Sequence, residues 1–436
     1  MLSVKRRFLA PILFFPMFFV SFNFPSIPFI GKFFSLSNTP TTSKEGELTY
    51  WGLFESESVM QPLIDEYEKL RPNIKIIYEP KDFNDLKNYK DTALMRLKNN
   101  SAPDILRIHS TWLPSFYTYL TEAPDSVYTK DTFSKEFFPA AVQTCVSSKG
   151  KIYAVPLMYE AMVVFYNQDI LSEQNIKRLP KTWDDFRELA ILLTQRDERG
   201  NVTRAGAAIG GSKNIAHASD ILGLMLSQSN LKIPDDLDTD RAAEVLDYYV
   251  SFMKDDKVWN TSLPYSPIAF SEGKVAIILA PTWQSFSILN SNPKLHIGIA
   301  AVPQIPVWGN PEITNTNWAN FWVESVSKSS KNKEAAWDFL KFLSQKQQRE
   351  KLFEKGSRIR PFGNSFGLSN LSETLKNIDY INNVVLGAPY SKTGIITDRV
   401  GNDIPVEAIN TAIDNVVMGE ASSKEALTSA KKTIQQ

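Results

Sequence analysis

Residues 150–169 read Gly-Lys-Ile-Tyr-Ala-Val-Pro-Leu-Met-Tyr-Glu-Ala-Met-Val-Val-Phe-Tyr-Asn-Gln-Asp, so between Lys151 and Asp169 the only charge is the carboxylate of Glu160. The apolar and aromatic neighbours predict a strand from Ile152 to Phe165 buried on both faces, as strands in layered α/β sheets are. A carboxylate persists in such a strand only where it is paired, hydrogen-bonded or exposed to a cleft. Glu160 therefore marks either an internal polar network or the wall of a crevice.

The flanking sequence alternates strand and helix signals. Glu47–Trp51 reads as a strand, followed by Val59, Leu63, Ile64, Tyr67 and Leu70 at helical spacing up to Arg71-Pro72, where proline ends the helix. Asn73–Tyr78 is the next strand. Leu86, Tyr89, Ala93, Leu94 and Leu97 mark a second helix, broken at 99–103 before the strand-like Ile105–Ile108. Thr182 with Asp185, and Ser422 with Glu425, have the spacing of capping boxes. The pattern is α/β layering, with no internal repeat.

Composition removes several function classes. The chain has 436 residues, 43% of them hydrophobic, which suffices for two domains with large cores. Lysine plus arginine (48) balance aspartate plus glutamate (48), so no overall field draws the chain to nucleic acid. A single cysteine, Cys145, excludes an internal disulfide, and His109, His217 and His296 are too scattered to suggest a zinc site. No Ser-His-Asp order, glycine-rich phosphate loop or metal motif appears, so no cofactor and no metal are expected.

The first 46 residues read as a targeting segment and tether. Lys5-Arg6-Arg7 precedes an uncharged, Phe-rich run from Phe8 to Ile30, interrupted by Ser21, Asn23, Ser26 and four prolines. Its 23 residues fit a cleaved secretory signal, and they are also enough to cross a bilayer as an uncleaved anchor. Either way the basic end stays cytoplasmic and the remainder is exported. Ser35–Gly46, rich in Ser, Thr and Asn, reads as a polar linker.

The order Tyr153-Ala-Val-Pro156, Tyr159-Glu-Ala-Met162, Tyr166-Asn-Gln-Asp169 resembles the hinge crossing of extracellular solute-binding proteins of ABC importers, in their sugar-binding, maltose-binding-protein-like family. Five further pieces agree in order: Ala102–Ile105, Pro180–Phe186, Phe270–Ile277 leading to Trp283, Asn332–Leu340 and Gly419–Leu427. The resemblance implies a two-lobed, periplasmic-binding-protein-like α/β fold of type II, crossed three times. One lobe would comprise residues 47–158 and 325–376, and the other 159–324 and 377–436. The crossings would fall at Tyr159–Val163, Trp318–Glu324 and Asn377–Tyr380. It further implies a monomeric, non-enzymatic, extracytoplasmic protein that captures a carbohydrate in the cleft and delivers it to ABC permease subunits. Relatives held by a lipid carry a cysteine just after the apolar run; this chain has none there, which favours an uncleaved anchor over a lipoprotein.

A sugar needs aromatic faces for its C–H patches and fixed polar groups for its hydroxyls. Burying about 100 Å² on one indole contributes roughly 2.5 kcal/mol before ordering costs. By the resemblance, Glu160 matches a hinge glutamate that binds sugar hydroxyls, and Trp283 occupies the place of a stacking tryptophan. Glu55 and Ser56 would lie at the cleft edge after the first strand. His109, Thr111 and Trp112 fall where the maltose binder has an Asp-Arg pair, and Val406 falls where it has a tryptophan, so maltose contacts do not transfer. Trp318 and Asn320 are the candidates at the second crossing, and Asp104 reads as architecture. The alternative class is a secreted glycoside hydrolase with Glu160 and Glu55 facing each other across a cleft.

Overall fold

The computed structural model describes residues 46–306, 314–358, 369, 381–399 and 402–436. The targeting segment and the third expected crossing, Asn377–Tyr380, lie outside the described residues. Among the described residues no helix is long and apolar enough to cross a membrane.

Among the described residues eleven strands form two sheets: β1 (Gly46–Leu53), β2 (Ile74–Lys81), β3 (Ile105–His109), β4 (Glu160–Asn167), β5 (Gln195–Arg196), β6 (Val202–Ala207), β7 (Val275–Pro281), β8 (Ile297–Ala300), β9 (Asn317–Asn320), β10 (Trp322–Val326) and β11 (Ser391–Lys392). The first sheet has the order β10-β3-β1-β2, with β1 parallel to both β2 and β3, and β10 antiparallel to β3. The second runs β11-β9-β4-β7-β6-β5, with β8 also pairing to β4. Helix Glu57–Leu70 joins β1 to β2 and helix Leu86–Lys98 joins β2 to β3, each burying the apolar stripe read from the sequence except Leu70, which is exposed, and Leu94, which is half-buried. Asp104 ties this sheet together: its Oδ2 accepts from Thr49 N–H (2.9 Å) and Thr49 Oγ1 (3.0 Å), and its Oδ1 from Ser330 Oγ (2.5 Å).

The strand expected over Ile152–Phe165 is shorter and begins at Glu160. Val155 still bridges to Glu324 of the first sheet, and Pro156 then offers no N–H to continue the ladder. Leu157–Tyr159 carry the chain to the second sheet, where Glu160 pairs with Asn320. The return is equally abrupt. Asn320 belongs to β9 of the second sheet and Trp322 to β10 of the first, so Phe321 alone spans the change. Tyr159 and Phe321, the two crossing residues, stack with ring centroids 5.4 Å apart and planes 19° from parallel. The return lies a few residues before position 325, because Trp322–Val326 already pair with β3.

Candidate functional site

The strand ends that meet at the crossings bring the polar groups together. Glu160 opens β4 opposite Asn320, while β7 ends at Pro281 opposite Met162, so the next residue, Thr282, reaches back and donates its hydroxyl to Glu160 Oε2. Asn320 donates from Nδ2 to the Asp398 carbonyl (3.2 Å), and its Oδ1 accepts from His109 Nε2 at 2.7 Å. His109 Nδ1 in turn accepts from Thr111 N–H (3.3 Å), which leaves the proton on Nε2. Burial, helped by the Arg399 charge, pushes this imidazole down to about 3, so it is neutral at physiological pH.

A second network lies beside it. His217 has left-handed backbone (φ 60°), which directs its N–H to Asp398 Oδ2 (3.2 Å) while its ring Nδ1 meets Asp220 Oδ2 (2.9 Å). Asp220 Oδ1 accepts from the Trp318 indole (2.7 Å) and from Asp398 N–H (3.0 Å). Burial opposes protonation of His217, but Asp220 and Asp398 outweigh it and hold the imidazole above its ordinary value. Burial pushes Asp220 up as well, against the His217 bond. These groups lie 3 to 181 residues apart in the chain, and the fold alone makes them neighbours.

Arg399 follows directly after Asp398. Its guanidinium carbon lies 5.2 Å from the Trp283 ring and 5.1 Å from the Trp322 ring, within cation–π range of both. Trp283 follows β7 of the second sheet, and Trp322 opens β10 of the first. Burial lowers Arg399 to about 10, opposed by Asp398, Asp220 and Glu160, so it stays charged at neutral pH. The Trp283 indole also meets the His217 ring edge-on at 5.6 Å, yet keeps 39% of its surface exposed.

Residues 51–350 match the family model described as bacterial extracellular solute-binding protein. The chain belongs to that family. Among curated relatives, a binding protein of Brucella abortus is 26% identical over 65% of this chain and 66% of its own length. The maltotriose-binding protein of Pyrococcus abyssi is 22% identical over 69% of this chain and 62% of its own. The chain thus spans just under two thirds of the length of these relatives. Among solved structures, a cyclo/maltodextrin-binding protein complexed with maltotetraose superposes with a TM-score of 0.71 at 15% identity, covering 91% of this chain and 98% of that one. A mannobiose-bound protein, CpMnBP1, does so with a TM-score of 0.62 at 22% identity over 90% and 100%. At these identities the likeness is one of fold, and it is the two-lobed α/β architecture the sequence resemblance implies.

In this solute-binding protein the candidate residues divide between the polar groups at the crossings and the core behind them. Glu160, Asn320, Thr111 and His109 join the network at the crossings, and Trp283, partly exposed, lies under the Arg399 guanidinium. Trp318 and Trp112 do not line a surface. Each is only 1% exposed; Trp318 fills the core and positions Asp220, and Trp112 packs edge-on against Trp322 (5.2 Å). Glu55 is buried in an ion pair with Arg107, whose Nε also donates to Glu324 (2.5 Å). The hydrolase alternative needs Glu55 opposite Glu160; it is instead held inside the first lobe's polar triad. Ser56 is exposed at the start of helix Glu57–Leu70 and bonds Ser58 Oγ (2.9 Å). Val406 is a buried residue of helix Asp403–Met418. Sequence reading missed His217 as a site residue, and also Asp220, Asp398 and Arg399. They lie in irregular segments or an apolar helix, where no period or motif sets them apart.

Proposed function

We propose that this chain is the extracytoplasmic substrate-binding component of an ABC importer, which captures a carbohydrate between its lobes and presents it to membrane permease subunits. The convergence of Glu160, Trp283 and Arg399 where the two sheets meet carries this reading. A carboxylate, a guanidinium and an exposed indole are the groups a sugar's hydroxyl rim and C–H face require. Relatives and fold neighbours named for maltotriose, maltotetraose, mannobiose and diacetylchitobiose support the same ligand class. Rotation about the crossings at Leu157–Tyr159 and Phe321 would close the lobes, and the ligand drives closure by binding the closed form better. On this reading the lobes part at the two strand switches, with the first lobe resuming at Trp322. The apolar run Phe8–Ile30 supports a membrane tether, which raises the effective concentration near a permease.

Thermal-shift measurement of the purified protein against maltotriose, maltotetraose, mannobiose and diacetylchitobiose tests this reading. A ligand at 100 times its dissociation constant adds about 2.7 kcal/mol of stability. Glu160→Gln should weaken binding roughly tenfold, the worth of a charge-assisted hydrogen bond. No shift with any saccharide, or hydrolysis products in the same wells, would overturn the reading.

A further inference from the structure

Arg399 is half-buried, as is Arg204, whose Nε and Nη2 are also enclosed without an acceptor among the described residues, and it differs in lying against the rings of both Trp283 and Trp322. Its Nε is wholly enclosed and has no hydrogen-bond acceptor among the described residues. By contrast, the buried Arg107 spreads its donors over Glu324, Glu55 and the Leu53 carbonyl. A buried, charged N–H without an acceptor is costly, so a site that keeps one normally completes it with another oxygen. The backbone beneath Arg399 is fixed: Asp398 N–H bonds Asp220, the Asp398 carbonyl accepts from Asn320, and the Arg399 carbonyl accepts from Asn402 N–H (2.9 Å). Its side chain is thus presented from a pinned loop, between one indole of each lobe.

We propose that Arg399 is a ligand-binding residue acting across the cleft, whose guanidinium donates to a neutral oxygen of the bound saccharide while Trp283 and Trp322 hold its plane. This rests on the carbohydrate-binding reading above and adds to it both a residue and a charge preference. The acids that bear on Arg399 are Asp398, Asp220 and Glu160, and His217, whose imidazole is held above its ordinary value, is already bonded to Asp220. Whether or not His217 carries a proton, three carboxylates around Arg399 leave the cleft no positive excess, so an acidic saccharide is repelled where a neutral one is held. The guanidinium therefore selects a hydroxyl, ring or carbonyl oxygen.

Isothermal titration of the full-length protein, Arg399→Gln and Arg399→Lys with the four neutral saccharides above and with trigalacturonic acid tests the proposal. For the best-binding neutral saccharide, Arg399→Gln should lose about 10- to 100-fold in affinity, the span of a hydrogen bond to a charged group. Arg399→Lys should lose a similar amount, because an ammonium keeps the charge but not the planar fork between two rings. Ligand-free melting temperatures of both variants should stay near that of the unaltered protein, and trigalacturonic acid should bind more weakly than the neutral sugars. Unchanged affinity in Arg399→Gln overturns the proposal and leaves the carbohydrate reading standing. So does a large drop in ligand-free melting temperature in both variants, which assigns Arg399 to structure, and so does preferential binding of trigalacturonic acid. If the unaltered protein binds no saccharide, both fall together.

Discussion

His109 shows how one side chain joins stability to the site. In the unfolded chain its imidazole titrates near its ordinary value of 6.5, but in the fold burial and Arg399 hold it to about 3. The unfolded state therefore takes up a proton that the folded state refuses, and stability present above pH 6.5 is lost as pH falls toward 3, by about 1.4 kcal/mol per unit for one such group. His217 has the opposite sign, since its value is raised: it contributes below its unfolded value and loses that contribution as pH rises through the folded one. The two act in different windows, so they separate by mutation. His109→Gln keeps a donor for Asn320 without the titration, and its urea midpoint should fall less steeply than the unaltered protein's between pH 6 and pH 4. Parallel curves would remove His109 as a source of acid sensitivity. None of this was legible from His109 alone. Its place at the end of a β-strand was readable to within one residue, but its partner Asn320 is 211 positions away.

At the scale of elements, helix Ala218–Gln228 packs behind β9. Ten of its eleven residues are buried, and Asp220 on its first turn bonds the Trp318 indole of β9. Gly223 is the position that lets them meet, since a Cβ there would come within 2.9 Å of Trp318 Cζ2 and 3.2 Å of Ile396 Cδ1. Alanine ordinarily gains about 1 kcal/mol over glycine inside a helix. Overpacking a rigid core costs about 1 to 3 kcal/mol, so the clash outweighs the propensity and Gly223→Ala should lower the melting temperature. An unchanged or higher value would mean that Trp318 yields freely. In sequence Trp318 was a binding candidate by its place at the second crossing, and this contact shows it in the core instead. Its neighbourhood, Thr314–Trp322, mixes polar and aromatic residues, and the close approach of the glycines opposite the indole, 223 and 394, shows that it points into the core. The helices of the first lobe were legible because their burial follows a 3.6-residue period, as Val59, Leu63, Ile64 and Tyr67 show. The start of β4 was not, because nothing local in an apolar run says that Val155 and Glu160 belong to different sheets.

For the molecule as a whole, the arrangement of the two sheets specifies what ligand binding should protect. Candidate contacts come from both sides of the crossings: His109, Thr111 and Trp322 on the first sheet's elements, and Glu160, Thr282, Trp283 and Arg399 on the second's. If the lobes close as rigid bodies around a saccharide, backbone amides near both sets lose exchange together, because opening of the cleft becomes rarer by the binding free energy. Helices that pack on the outer faces, such as Glu57–Leu70 and Asp240–Lys254, make their contacts within one lobe and gain nothing from closure. Hydrogen-exchange mass spectrometry with and without the best-binding saccharide should show protection at 109–112, 157–160, 281–284, 318–322 and 396–399, with the outer helices unchanged. Protection confined to the second set would mean that the ligand sits on one open lobe. In that case Phe321 and Tyr159 would be a structural stack at a fixed junction, not a hinge, and capture by closure would be excluded.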